Sequence, residues 1–410
     1  MNVSPDFSLP LRLIAPYFVG AVVLYIVSMG LLLLLPVDIS IHDFRLIGWV
    51  HLYIIGFVMM VIIGAMGQLS VVVGEIHHRY PKLFGWIGPL LGTGTVILVG
   101  GFYYDLSLLP YGGGIIAIAL GLFAFNLFVT LSYSRRRTSV TRSMQWSTLF
   151  LGIGLGLGVL MALGYAGRIE SDPSHWRMGH IFALFGGYIM INIMGVSTVL
   201  LPMFGACNRP ADSDYTISFY MMAASVFTMV CSAVFHSQWL ETAALLLGIG
   251  SVTYYMFQVY LIFTSKKRRY SDIWERSVAV AFIALVFFMG IGTYGVLSGD
   301  EKGVLLAFWF LTAGFLGFLI TAHLYKIVPF LVWFERYAPF IDERDVPMLH
   351  QLLPERWANL QWRLALGGLA AVALAIVFSH SLLWQTGVLM LAGSGFVLLG
   401  ILIKLLRDKL

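Results

Sequence analysis

Charged side chains are scarce in this sequence. They make up 11% of the 410 residues, while 59% are hydrophobic. A soluble domain carries about 25% charged residues, so the composition excludes a soluble globular protein and favours an integral membrane protein. Only two cysteines are present, Cys207 and Cys231, which excludes both a disulfide framework and a cysteine-ligated iron–sulfur cluster. The net charge of +5 comes from clusters in loops, and no nucleic-acid partner is predicted.

Long apolar runs predict an all-α, polytopic membrane protein with about twelve transmembrane helices in a single integral membrane domain, residues 1–410. Each run reaches or approaches the ~20 residues that a spanning helix needs. The first run lacks a small-residue cleavage site and is followed at once by further spans, so it is interpreted as a helix and not a signal peptide. The runs cover residues 14–36, 44–73, 84–104, 112–133, 146–166, 178–204, 216–236, 239–264, 276–297, 303–334, 362–380 and 382–406.

Basic clusters predict the orientation of these spans. Arg135 to Arg137, Lys266 to Arg269 and the C-terminal Lys404 to Lys409 all follow even-numbered spans, whereas the opposite loops are mainly acidic. By the positive-inside rule, the N- and C-termini both lie in the cytoplasm. We therefore expect a multi-pass protein of the bacterial inner membrane in which the second and sixth spans run inward.

Two of the inward-running spans carry a histidine near their start. His51 opens the stretch from Trp49 to Glu75, and His180 opens the stretch from Met178 to Gly205, with glycines at similar offsets behind each ring. A histidine inside hydrocarbon is costly and by default marks a functional site. The two rings are 129 residues apart in the chain and are predicted at matching depth near the outer surface. This pattern indicates two halves of one ligand set.

The remaining histidines are weaker candidates. His323 falls in the cytoplasmic half of the tenth span. Three interpretations of it are open: a proton-path residue, a second ligand, or a histidine hydrogen-bonded to a neighbouring carbonyl. His236 lies at the outer end of the seventh span, where an interfacial role and a ligand role are both open. His77 and His78 precede Arg79 in a loop and are expected to be solvated.

Glycines indicate how helices approach one another. The run Gly152-x-Gly154-x-Gly156-x-Gly158 is apolar and lacks a Lys-Ser/Thr ending, so it predicts close helix packing and not a phosphate loop. Glycine-rich runs recur in the second, sixth and tenth spans, four spans apart. They suggest three four-helix units, at about 14–133, 146–264 and 276–406, in a pseudo-threefold ring. The tenth span has Ala307 or Phe308 where the other two have histidine.

Twelve spans, cytoplasmic termini and histidines early in spans two and six make the chain similar to the catalytic subunit of the haem–copper oxidase superfamily. It looks closest to that family's degenerate relatives, including NnrS-type membrane proteins of nitric-oxide responses. The resemblance implies that His51 would ligate a low-spin haem and His180 would ligate copper. The active oxidases also have a His-His pair in span seven and a His-x-His in span ten. This chain has only His236 and Ala307-Phe308-Trp309 there, so oxygen reduction to water is not expected.

What remains is a hypothesis of haem b held by His51 and His180, with Arg45 and Arg177 as cations for the two propionates. Such a protein would act in electron transfer or in handling nitric oxide or oxygen, with a c-type cytochrome or other redox subunit as partner besides membrane lipid. Copper without haem is an alternative, since imidazoles suit copper and Met178 and Met190 are near. The third hypothesis is a transporter or assembly factor that binds no cofactor.

Overall fold

The protein is an all-α, multi-pass membrane protein. The computed structural model describes residues 7–134, 137–208, 212–267, 271–341, 343 and 345–407, and every regular element in these ranges is helical. Within these ranges, twelve helices are long and apolar enough to cross a membrane, which agrees with the predicted number, the last two included. They are numbered as spans 1 to 12 in chain order: Leu11–Leu32, Phe44–Gly74, Pro81–Tyr103, Leu106–Ser132, Ser139–Tyr165, Pro173–Gly205, Tyr215–Phe235, Gln238–Thr264, Ile273–Ser298, Glu301–Arg336, Glu355–Phe378 and Ser381–Arg407.

Several spans begin earlier than the apolar runs suggest. Span 5 begins at Ser139 and not near 146, and span 11 begins at Glu355 and not near 362. The first turns of these two helices are polar, so a search for apolar runs does not include them. At span 5, Thr138 closes a capping box with Thr141, which satisfies backbone N–H groups that a helix end otherwise leaves unpaired. Polar caps, and not apolar content, set where this helix starts.

Spans 2, 6 and 10 differ from the other nine. They are 31, 33 and 36 residues long, and 72, 67 and 72% of their most apolar windows is buried, against at most 50% in any other span. These are the three spans that share the glycine-rich pattern in the sequence. Each of the three is therefore more enclosed by protein than the other spans, and for this burial they are called the central spans.

The chain divides into two compact units. Unit A comprises the described residues of Met1–Leu9 and Met66–Arg269, and unit B those of Pro10–Ala65 and Tyr270–Leu410. Within unit A, consecutive spans 3 to 8 pack side by side along the chain. Within unit B, span 1 packs on the start of span 2 and on span 12, while spans 9, 10 and 11 pack together. His180 belongs to unit A, and His51 and His323 belong to unit B. The three four-helix units stay a prediction.

Candidate functional site

The three central spans begin in the same way. An aspartate caps each one by accepting the backbone N–H two residues ahead: Asp43 from Arg45 at 2.8 Å, Asp172 from Ser174 at 2.9 Å and Asp300 from Lys302 at 3.1 Å. A carboxylate at this place satisfies an unpaired donor and complements the positive end of the helix dipole. The cap therefore fixes where each helix begins, and so fixes how far along the helix each later side chain lies.

Counted from this cap, the two histidines occupy the same position. His51 is the eighth residue of a helix that begins at Phe44, and His180 is the eighth residue of one that begins at Pro173. At ~1.5 Å per residue, each ring lies about 10 Å along its helix from the first residue. The eighth residue of span 10, which begins at Glu301, is Phe308. The third span thus has an aromatic ring where the others have an imidazole.

Each central span changes to a π-helix within two residues after this position. The π-helical stretches are Leu52–Met59, Phe182–Met190 and Phe310–Leu316, and each returns to an α-helix afterwards. π-Helices are rare and occur mainly as short insertions, frequently at functional sites. Each stretch also holds a glycine at which a Cβ atom would press on a neighbouring span: Gly56 on Leu24, Gly187 on Phe150 and Gly314 on Ala284. The widened turns are therefore tightly packed.

In unit B, the ring of His51 is oriented by its own helix. Its Nδ1 lies 2.8 Å from the carbonyl oxygen of Ile47, one turn earlier. A carbonyl can only accept, so Nδ1 carries the proton and the lone pair of the neutral ring is on Nε2. This is the arrangement that metal-ligating histidines adopt, because the second hydrogen bond fixes both tautomer and ring orientation.

In unit A, His180 is oriented by a different helix. Its Nδ1 lies 2.8 Å from the carbonyl oxygen of Gly154 in span 5. A Cβ atom at Gly158, one turn farther along span 5, would lie 2.8 Å from Cε1 of this ring. Gly152 and Gly156, on the opposite face, have open space where a Cβ would be. The predicted close packing of the glycine run is confirmed for Gly154 and Gly158. The carbonyl of Gly154 bonds the His180 ring, and the missing side chain of Gly158 leaves room for that ring.

His323 lies much farther along its span, 22 residues after Glu301 and within Gly317–Arg336. Its Nδ1 lies 2.7 Å from the carbonyl oxygen of Leu319, and the indole of Trp274 stands edge-on at 6.2 Å between ring centroids. The plain interpretation of this residue, a hydrogen bond to a neighbouring carbonyl, is therefore present in the structure. A ligand or proton-path role for His323 stays a prediction.

Arg45 already has an anionic partner. Its guanidinium binds the Asp43 carboxylate in bidentate fashion, with Nη2 at 2.7 Å and Nε at 3.1 Å, and this contact lowers the pKa of Asp43. A haem propionate near Arg45 would share this cation with Asp43 or displace that carboxylate. Arg177 lies three residues before His180 in the same helix, and its side chain is half-buried. The propionate roles of both arginines stay predictions.

His236 lies at the exposed end of span 7, where the chain turns through a positive φ of 50°. Its ring meets the ring of His175 edge-on at 4.4 Å, and Nε2 of His175 lies 3.7 Å from the carboxylate of Asp172. Across the part of the chain that the structure describes, no group of three or more His, Cys, Asp or Glu side chains is arranged to hold a metal ion. A metal role for His236 stays a prediction.

The expectation that both loop histidines are solvated is wrong for His78. Only 7% of this residue is exposed, and its Nε2 lies 2.7 Å from the carbonyl oxygen of Gly67. Burial lowers its pKa, because a charged imidazole would lose hydration there, and the Gly67 carbonyl opposes that effect in part. His77 is exposed and contacts the ring of Phe7. The sequence gives no sign of this difference, since the adjacent Arg79 and Lys82 make the whole loop look polar.

An aromatic cluster in unit B was not evident from the sequence. Trp49 is 1% exposed, donates its indole N–H to the carbonyl of Ser28 at 3.0 Å, and stacks on Trp309 at 6.4 Å. The fully buried Tyr53 donates its hydroxyl to the carbonyl of Thr312 at 3.0 Å. That bond ties the π-helical stretch of span 2 to the π-helical stretch of span 10. These contacts join the helix of His51 to spans 1 and 10 within unit B.

These features define a polytopic α-helical membrane protein with three central spans of one design, two of which carry an imidazole at the same position. Comparison with known proteins adds no relative: no protein-family model matches the chain, and no curated protein matches it.

Proposed function

We propose that this protein binds haem b in the membrane through His51 and His180, and acts in electron transfer or in handling nitric oxide or oxygen. The observation that carries the proposal is the shared geometry of the two rings. Each is the eighth residue behind an aspartate cap, each has Nδ1 on a backbone carbonyl at 2.8 Å, and a π-helical stretch begins one residue after His51 and two residues after His180. Packing alone does not require the same three features at two places 129 residues apart.

The residues present fit a haem better than a copper centre. One or two imidazoles suffice as axial ligands of a haem iron. A copper centre of the oxidase kind needs three histidines, and no such group occurs in the ranges that the structure describes. The Nδ1–H···O=C bonds raise the basicity of Nε2 as a ligand and keep the rings from rotating. Arg45 and Arg177, near the same helix ends, are the cations that we assign to the propionates.

When bound, haem would supply one-electron transfer or the binding of a diatomic gas. The role of the chain is to hold the two imidazoles in fixed tautomers and to exclude water through its packed apolar spans. We place the protein in a bacterial inner membrane with both termini in the cytoplasm, and propose a c-type cytochrome or another redox subunit as partner. Its resemblance to degenerate haem–copper oxidases is part of this proposal.

The test is to purify the full-length protein and measure a pyridine haemochrome spectrum together with iron and copper content. We expect a Soret band that is lost or shifted in His51→Ala and in His180→Ala. His323→Ala and His236→Ala are the matched controls, and their spectra should resemble the wild type. A colourless, metal-free protein of native stability would overturn the proposal in favour of a cofactor-free carrier or assembly factor. Stoichiometric copper without haem would favour the copper alternative.

The spectrum also separates the two modes of action. A six-coordinate, low-spin haem that does not bind carbon monoxide would support electron transfer, and an open iron position that binds it would support gas handling. If both His51→Ala and His180→Ala convert one haem to a five-coordinate form, the two rings ligate the same iron. If each variant loses a different haem, they do not.

A further inference from the structure

Three arginines line a groove in unit B, between the beginnings of spans 9 and 11. The groove has a volume of about 690 Å³ and is lined by Arg276, Arg356 and Arg363 together with Asn359, Trp357 and Leu360. We name it the arginine groove. It belongs to neither of the histidine positions described above, and its side chains have no part in the proposed haem site.

The sequence of span 11 directs one face into the groove. Arg356, Asn359, Leu360 and Arg363 are spaced i, i+3, i+4 and i+7, which places all four on one side of an α-helix. Arg276 reaches the same space from the first turn of span 9, which begins at Ile273. Spans 9 and 11 are both odd-numbered, so their first turns lie on the same side of the membrane, the side predicted to be cytoplasmic.

The groove is positively charged and lacks an internal counter-ion. Within the described residues, none of the three guanidinium groups forms a salt bridge with a carboxylate. The nearby Asp272 carboxylate is held instead by Lys326 at 2.8 Å. Guanidinium groups stay protonated at any physiological pH. Three such charges around one space attract an anion, and their planar N–H donors match the oxygens of a phosphate.

Arg276 is held ready for such a ligand. Its Nη2 donates to the amide oxygen of Asn359 at 2.6 Å, and its guanidinium lies 5.3 Å from the ring centroid of Trp362. These contacts fix the side chain, yet its Nε–H is buried and has no hydrogen-bond partner. A buried donor without a partner is unfavourable, so a ligand oxygen that accepted from this N–H would be stabilising.

The rim of the groove indicates where the phosphate comes from. Trp357 is 52% exposed and Leu360 is 39% exposed, beside the charged side chains. Tryptophan at the end of a span is typical of the headgroup level of a bilayer, and leucine there can contact an acyl chain. Basic pockets between transmembrane helices on the cytoplasmic side are typical binding places of anionic headgroups.

We propose that the arginine groove binds an anionic glycerophospholipid, with its phosphate among Arg276, Arg356 and Arg363 and its acyl chains along Leu360. Delipidated full-length protein in neutral detergent is titrated with phosphatidylglycerol, with phosphatidylcholine and with inorganic phosphate, and binding is measured by native mass spectrometry and by the rise in Tm. We expect phosphatidylglycerol to bind and stabilise the protein more strongly than phosphatidylcholine does. Inorganic phosphate should not reproduce the effect at millimolar concentration.

The variant Arg356→Gln/Arg363→Gln removes two exposed cations without touching the Arg276–Asn359 contact, so it should fold. It should weaken phosphatidylglycerol binding by about tenfold or more, since two of the three cations that attract an anionic headgroup are lost. The matched control, Arg12→Gln/Arg407→Gln, removes the same charge from exposed positions in other spans of unit B, at the start of span 1 and the end of span 12, which lie on the same predicted side of the membrane. It should change binding by less than about twofold.

Three results would overturn the proposal. The first is equal binding of phosphatidylglycerol and phosphatidylcholine. The second is equal loss of binding in both double variants, which would mean general surface charge and not a site. The third is full stabilisation by inorganic phosphate, which would mean a soluble phosphate ligand.

Discussion

Replacing Gly158 by alanine would place a methyl carbon 2.8 Å from Cε1 and 3.1 Å from Nδ1 of His180. Carbon atoms in real packing rarely approach so closely, so either the ring or span 5 must move. The ring cannot turn away without lengthening its 2.8 Å hydrogen bond to the carbonyl of Gly154. Overpacking of this kind costs about 1–3 kcal/mol, and the weakened hydrogen bond adds about 1 kcal/mol.

Gly156→Ala is the internal control for this prediction. Gly156 lies in the same helix turn, but a Cβ atom there meets open space. Both substitutions gain the same helix propensity, about 0.5–1 kcal/mol relative to glycine. The difference between the two variants therefore isolates the contact with His180. We expect Gly156→Ala to be neutral or stabilising, and Gly158→Ala to be less stable than it by about 2–4 kcal/mol.

Thermal unfolding of the purified protein measures this difference, and it does not depend on any cofactor. If haem is bound, the Soret band of Gly158→Ala should also shift, and that of Gly156→Ala should match the wild type. Equal Tm values and equal spectra for the two variants would refute the assigned contact between Gly158 and the His180 ring.

Three further predictions concern other contacts. Burial lowers the pKa of His78 from its ordinary value of 6.5. Below that pH the unfolded chain binds more protons than the folded one, so stability falls as the pH falls. The Tm of His78→Gln should therefore decline less steeply with falling pH than the Tm of the wild type, and the exposed His77→Gln is the control that should follow the wild type. Asp272 caps span 9 and pairs with Lys326 at 2.8 Å. A double-mutant cycle of Asp272→Asn and Lys326→Met should give a coupling energy of about 0.5–3 kcal/mol. If the two losses of stability simply add in the double variant, the pairing is contradicted. Tyr53→Phe removes the 3.0 Å hydrogen bond from the Tyr53 hydroxyl to the carbonyl of Thr312 in span 10. Because that buried carbonyl loses its donor, the free energy of unfolding should fall by about 1–3 kcal/mol. An unchanged Tm would count against this hydrogen bond.

Much of the fold could be predicted from residues alone. The twelve spans follow from apolar length, and the early positions of His51 and His180 follow from counting. The π-helical stretches could not be predicted, because these segments are apolar on all sides and no hydrophobic period distinguishes a turn of 3.6 residues from a wider one. In the sequence, the aspartate caps were visible only as acidic residues of loops. Their common role required the hydrogen bonds of the structure.

The local sequence alone determined that this chain enters a membrane, how often it crosses, and which polar side chains enter the apolar spans. Transfer to hydrocarbon depends on the side chains of one segment, and their contributions add along it. Only the tertiary structure decided that Gly154 and Gly158 contact the His180 ring, that His78 is buried while His77 is exposed, and that three arginines line one groove. Each of these facts depends on the distance between side chains of different segments, and the packing of whole helices sets that distance.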